Sequence, residues 1–166
     1  TFTVTVSIGD LENTPLIQPW ASAEIGDSDS AASNDRPEII RLAADFLIVD
    51  DRRDIRFLAK HIITKAGGSV TEAEDGLVAI ETVKQAMSDG KTFDLILLDM
   101  QMPNMDGYET AAALRRLGYI GPIIALTADA MQGDMNKCLQ AGCNDYLSKP
   151  IDAQRMLQLV SDLTKK

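Results

Sequence analysis

The sequence is poor in the residues on which most metal, redox and nucleotide chemistry depends. Its 166 residues include one histidine, His61, and two cysteines, Cys138 and Cys143. The two thiols lack the spacing and the partners of a metal site, so they read as small apolar residues in a reducing compartment. Aromatic residues make up only 5% of a chain that is 45% hydrophobic, so any core is built from aliphatic side chains. No apolar run approaches the roughly 18 residues of a membrane span, and the amino terminus does not read as a signal sequence. There is no G-x-x-x-x-G-K-[ST] loop and no G-x-G-x-x-G turn, so no glycine-rich loop cradles a nucleotide. Positive charge is also scarce. The net charge of −9 argues against non-specific binding to nucleic acid or to an anionic membrane surface. A soluble, cytoplasmic, acidic domain is expected, with a surplus of carboxylates that suits a cation or is simply solvated surface.

What is present falls into three stretches. Residues 1–23 open with "TFTVTVSI", whose alternation puts Phe2, Val4, Val6 and Ile8 on one side of a half-buried strand. Residues 24–43 read as a flexible acidic linker, most clearly "EIGDSDSAASNDRP" at 24–37. Residues 1–43 carry seven acids and two arginines, more than half of the net charge. A lone strand ahead of a linker makes no core, so the opening reads as the end of something upstream.

From residue 44 to 166 the pattern is that of a single domain. Strands are expected at "FLIV" (46–49), "SVTEA" (69–73), "FDLILLD" (93–99), "PIIALT" (122–127) and "DYLSK" (145–149). Between and after them come helical patterns. The first places Ile55, Leu58, Ala59, Ile62 and Ala66 on one stripe. The second, 77–88, places Ile80, Val83 and Met87 together, and the others run 107–117, 131–141 and 152–164. Five strands alternating with five helices predict an α/β fold with a doubly wound parallel sheet. The unbroken apolar runs of strands one, three and four predict that both their faces are covered.

In such sheets a ligand site lies outside the carboxyl ends of the strands. The residues there are Asp50 and Asp51 after strand one, Asp99 after strand three, Thr127 after strand four and Lys149 after strand five. Two like charges about 4 Å apart repel by roughly 4 kcal/mol at an effective dielectric of 20, so three carboxylates call for a counter-ion. Oxygen ligands with open positions suit Mg²⁺, which binds through one or two carboxylates plus phosphate oxygens. Lys149 offers a point charge and Thr127 a hydroxyl to other phosphoryl oxygens. With no nucleotide loop, a carboxylate is the candidate nucleophile, and Asp99 on the central strand is best placed to form an aspartyl phosphate. Taken singly, each residue has a plainer reading: a helix cap, a surface lysine, a strand-forming threonine. Their joint arrival at the strand ends is what points to phosphoryl transfer.

The segments "FLIVDD", "LILLDMQMPNMDGYE", "PIIALTA" and "CNDYLSKP" resemble the receiver domain of two-component signalling, the response-regulator module, from residue 45 to the end. The resemblance implies a flavodoxin-like strand order of 2-1-3-4-5. It implies Asp99 as phospho-acceptor, and Asp51, Asp50, Asp99 and the backbone carbonyl of Gln101 as the Mg²⁺ set. It further implies Thr127 and Lys149 as phosphoryl-binding groups, Thr127 and Tyr146 as the switch pair, and the side chains of Gln101 and Asp129 as positions that tune phosphoryl lifetime. It implies a cis peptide between Lys149 and Pro150. In the loop after the acceptor, Pro103 is expected to stiffen the chain and Gly107 to open the next helix. "TFTVTVSIGDLE" is similar to the last strand of histidine-kinase ATP-binding domains, which implies a receiver from a hybrid sensor histidine kinase whose parent is membrane-anchored in some settings. Expected partners are a histidine kinase or histidine phosphotransfer domain, with no nucleic acid, and a monomer or weak homodimer.

Three readings remain open at this stage: a relay receiver, a stand-alone response regulator that binds an effector, and a Mg²⁺-dependent phosphatase. The last usually needs a second acid near the nucleophile, where Gln101 stands. The kinase's own catalytic segments are not in this sequence, so enzyme status is left open beyond the receiver's own phosphotransfer and dephosphorylation. Ile55 is either a docking contact or a core residue. His61 reads as a surface residue.

Overall fold

The computed structural model describes residues 41–128 and 132–165. The expected strand at 1–23, nearly all of the linker, and Asp129 lie outside them.

Five strands, β1 (Asp45–Val49), β2 (Ser69–Ala73), β3 (Leu95–Asp99), β4 (Ile123–Thr127) and β5 (Asp145–Ser148), alternate with five helices. These are α1 (Arg53–Lys65), α2 (Gly76–Ser88), α3 (Gly107–Leu117), α4 (Gln132–Ala141) and α5 (Ala153–Thr164). All strand pairs are parallel and the order is β2-β1-β3-β4-β5. The expected doubly wound sheet is therefore present, with boundaries within about two residues of those read from periodicity.

The period of two along each strand splits the core into two layers. Leu47, Val49, Ile96, Leu98, Ile123 and Ala125 face one side, where Ala79 and Val83 of α2 and Ala111 and Leu114 of α3 cover them. Phe46, Ile48, Leu95, Leu97, Ile124 and Leu126 face the other, under Ala59, Ile62 and Ile63 of α1 and Met156 and Val160 of α5. Every residue of β3 and β4 is buried, as their uninterrupted apolar runs require.

Helices α2, α3 and α5 begin where an acid can accept a free N–H. Asp75 accepts from Val78 N at 2.8 Å, Asp106 from Glu109 N at 2.8 Å, and Asp152 from Arg155 N at 2.7 Å. Helix α1 differs. Its cap is Arg52, whose side chain makes no capping bond, because a guanidinium has donors but no acceptor.

Two helical stripes match expectation in part: Ala59 and Ile62 on α1 and Val83 on α2 are buried as expected, but the edges of both stripes differ. On α1 the buried residues are Ala59, Ile62 and Ile63, whereas Leu58 is 41% exposed and Ile55 half-buried. Ile63 turns inward because Gly68 leaves space beside it and Phe46, space that a Cβ at 68 would fill. On α2 the buried face is Gly76, Ala79 and Val83, and Met87 is 39% exposed. Gly76 lets α2 lie directly against Thr110 of α3, so the small residues, not the large ones, make that seam. Among the described residues, no helix is long and apolar enough to cross a membrane.

Candidate phosphoryl and metal site

The sheet register sets the site. Val49 pairs with Leu98, so the next residues, Asp50 and Asp99, emerge side by side. Asp99 pairs with Leu126, which places Thr127 one step further along β4. Thr127 in turn pairs with Ser148, and Lys149 follows. The five residues read from the strand ends thus share one edge of the sheet.

Asp50 is fully buried and Asp99 is 2% exposed, whereas Asp51 faces solvent. One carboxylate oxygen from each lies within 4.8 Å of the others. Three hard oxygen donors at that spacing, one of them open to solvent, can hold a hard divalent cation. The buried pair is neutralised by Lys149, whose Nζ stands 2.8 Å from Asp50 Oδ2 and 2.8 Å from Asp99 Oδ2. Sequence reasoning gave Lys149 a phosphoryl oxygen to bind. Here the same ammonium also bridges the two acids.

Electrostatics in this pocket follow from burial. Desolvation raises the pKa of Asp99, and the charge of Asp50 adds to the rise. The hydrogen bonds from Lys149 and from the backbone N–H of Gln101, at 3.1 Å, oppose it. The net direction is upward, which makes Asp99 a more basic carboxylate than a surface aspartate. Burial works against the charge of Lys149, but the hydrogen bonds and charges of Asp50 and Asp99 outweigh it, and its pKa is raised. Lys149 is therefore an ammonium at any physiological pH.

Backbone contacts hold the acids in place. Asp50 N–H donates to Ala73 O at 3.3 Å and Lys149 N–H to Thr127 O at 2.7 Å. Beyond Asp99, Met100 N–H donates to Leu126 O at 3.0 Å and Gly107 N–H to Met100 O at 3.2 Å. A Cβ on Gly107 would run into the Asp99 carbonyl oxygen, so the helix after the acceptor can start this close only at a glycine. The Lys149–Pro150 peptide is cis, as expected.

The remaining candidates are less central. Tyr146 is half-buried on β5 and packs against the core layer that holds Ala125 and Cys138. Gln101 is exposed just past the acceptor. His61 is exposed, as read from the sequence, and its ring stacks on that of Phe57, with centroids 6.3 Å apart.

One residue at the site escaped the sequence reading. Arg56 donates from Nη1 to the carbonyl of Asp50 at 2.6 Å and to that of Asp51 at 3.1 Å. Its place one turn after Arg52 was the available signal, but nothing in spacing alone shows which way the loop turns.

Comparison with known proteins agrees with this geometry. A family model described as "Response regulator receiver domain" matches residues 46–161. The chain is 40% identical over 126 residues to hybrid signal transduction histidine kinase M of Dictyostelium discoideum, covering 70% of this chain and 5% of that protein. The chain therefore spans only a small part of that relative. Among solved structures, it is similar to the receiver domain of sensor histidine kinase PA1611 of Pseudomonas aeruginosa, which has a magnesium ion coordinated in the active-site cleft. That match has a TM-score of 0.66 and 32% identity, over 74% of this chain and 98% of that one. It is also similar to a chain in the Saccharomyces cerevisiae complex of the phosphotransfer protein Ypd1 with the receiver domain of Ssk1. There the TM-score is 0.65 and the identity 26%, over 73% and 88% of the two chains.

Proposed function

The chain belongs to the response regulator receiver family of two-component signalling, and we propose that residues 44–166 take a phosphoryl group from a phosphohistidine onto Asp99. The observation that carries this reading is Lys149 Nζ lying 2.8 Å from both Asp50 and Asp99 at the carboxyl edge of the sheet. Asp50, Asp51, Asp99 and the Gln101 carbonyl are the proposed magnesium set, supported by the oxygen cluster and by the magnesium-bearing cleft of the Pseudomonas receiver. Bound there, magnesium would neutralise charge on the phosphoryl oxygens during transfer.

The chain's own groups do the rest. An oxygen of Asp99 attacks phosphorus, the bond from phosphorus to the donor's imidazole nitrogen breaks, and an acyl phosphate forms as the imidazole takes a proton from water. Lys149 meets the new negative charge as an ammonium already aimed at the acceptor, and the buried hydroxyl of Thr127 donates to another phosphoryl oxygen. Tyr146 and Thr127 form the proposed switch, with Gln101 and Asp129 setting the lifetime of the phosphorylated state.

The reading extends to context. Residues 1–23 and 24–43 are proposed as the end of a histidine-kinase ATP-binding domain and a linker, which makes this the receiver of a hybrid kinase. The likeness to a hybrid kinase supports that origin, and the likeness to a receiver in complex with a phosphotransfer protein supports a relay partner of that class. Incubation with a radiolabelled, phosphorylated histidine phosphotransfer domain tests it. Label should pass to the chain and, when unlabelled partner is in excess, return. Label that never leaves the partner, under conditions where acetyl phosphate does modify Asp99, would replace the relay reading with an effector-binding regulator.

A further inference from the structure

We propose that Arg56 is a positioning residue for the cation site, holding the backbone between β1 and α1 in the bend that sends the Asp50 and Asp51 carboxylates the same way. The inference rests on the receiver reading of the acid cluster and adds to it a residue outside the ligand set.

The geometry behind it is simple. Along an extended chain, neighbouring side chains point to opposite sides. Asp50 and Asp51 are adjacent, yet each places a carboxylate oxygen within 4.8 Å of the other's and of one from Asp99. The backbone must therefore bend between them. Arg56 Nη1 donates to the carbonyl of Asp50 at 2.6 Å and to that of Asp51 at 3.1 Å. One guanidinium nitrogen thus ties together two consecutive carbonyls, which an extended segment would point apart. With both carbonyls drawn towards α1, the side chains are left to face the site.

The guanidinium is itself braced. Its side chain is 12% exposed, and Nε lies 3.6 Å from Glu72 Oε2 on β2. Glu72 is held from the other side by Lys60 Nζ, 2.6 Å from Oε1. Glu72 pairs in register with Ile48 of β1, so this brace reaches from the sheet itself to the loop. The planar fork of arginine meets two carbonyls and a carboxylate at once, which a lysine ammonium at the end of its stem cannot do equally well. Residues that orient metal ligands from outside typically cost 10–100-fold in affinity when removed.

The test is the Mg²⁺ dissociation constant by titration calorimetry for wild type, Arg56→Lys and Arg56→Ala, with acetyl-phosphate labelling of Asp99 across the same Mg²⁺ range. Arg56→Ala should bind Mg²⁺ about tenfold more weakly, the lower end of the effect of such residues, with Arg56→Lys in between. At saturating Mg²⁺ the labelling rate of both variants should return to near that of the wild type. Unchanged Mg²⁺ affinity in a folded Arg56→Ala protein overturns the proposal. So does a weakened affinity whose labelling defect persists at saturating Mg²⁺. If Arg56→Ala does not fold, Glu72→Gln decides. Loss of the brace should weaken Mg²⁺ binding in the same direction, and no change overturns the role. A wild type that binds no Mg²⁺ would overturn the receiver reading, and the role of Arg56 with it, an outcome distinct from a variant that matches a binding wild type.

Discussion

Lys149 and Asp50, 99 residues apart in sequence, meet at 2.8 Å between Nζ and Oδ2. They come from the ends of β5 and β1, between which β3 and β4 lie in the sheet. The contact spans most of the site, and the buried acids depend on it.

Removing that ammonium should cost stability as well as chemistry. Lys149→Met leaves Asp50 and Asp99 buried without their cation, and breaking a buried ion pair from one side costs about 3 kcal/mol. Urea unfolding in EDTA should show that loss. Added Mg²⁺ should restore part of it, because the ion supplies charge to the same oxygens. Equal stability of the two proteins in EDTA would mean that Lys149 is not what neutralises the pair.

Asp99→Asn should have the opposite effect without Mg²⁺. The folded protein raises the pKa of Asp99, with desolvation the largest cause. The protonated form is thus favoured by folding. That contribution is fully present below the unfolded value, about 3.9, and is lost as pH rises through the folded value. At pH 7 in EDTA the ionised carboxylate therefore lowers stability, and the asparagine variant should melt higher. Its advantage should shrink at pH 3 and again on adding Mg²⁺ at pH 7.

Gly107→Ala probes the approach of α3 to the acceptor. A Cβ there meets the Asp99 carbonyl oxygen and lies 2.6 Å from Met100 Cα. Backbone atoms cannot swing aside, so overpacking of about 1–3 kcal/mol is expected. Labelling of Asp99 should slow as its strand end shifts. Unchanged labelling kinetics would show that the strand end tolerates the displacement.

Tyr119 gives a pH dependence far from the site. Its phenol is buried and donates to Phe93 O at 3.1 Å. Burial raises its pKa. The folded state then keeps a proton that the unfolded chain gives up above about pH 10, so stability is fully present below that pH and falls as pH rises past it. Tyr119→Phe should cost about 1 kcal/mol at pH 7 and flatten the decline between pH 9 and 11, as read from urea midpoints.

Much of this molecule is legible in its sequence, for physical reasons that differ by element. Strands β1, β3 and β4 are buried on both faces, so their apolar runs have a hard edge, and the residue at that edge must lie at the rim of the sheet. That is why Asp50, Asp51, Asp99 and Thr127 are legible as one cluster, whereas Lys149 follows β5, which is only part-buried, and joins them because β5 pairs in parallel with β4. The helical stripes were harder. Leu58 and Ile63 lie on either side of the α1 seam, and only the space left by Gly68 beside Phe46 turns Ile63 inward. On α2 the seam runs through Gly76 and Ala79, which carry little hydrophobic signal. Arg56 was invisible because its role is to bind backbone carbonyls, whose direction follows from a loop bend and from no residue type. The twofold reach of Lys149 was missed for a similar reason: a list of strand ends gives neighbours but not distances.

Intact mass after incubation with acetyl phosphate, with and without Mg²⁺, for wild type and Asp99→Asn, tests the phosphoryl-acceptor site most directly. The wild type should gain one phosphoryl group only when Mg²⁺ is present, and Asp99→Asn should gain none. An equal gain in Asp99→Asn, a gain that ignores Mg²⁺, or no gain in the wild type from either acetyl phosphate or a phosphohistidine donor would contradict it.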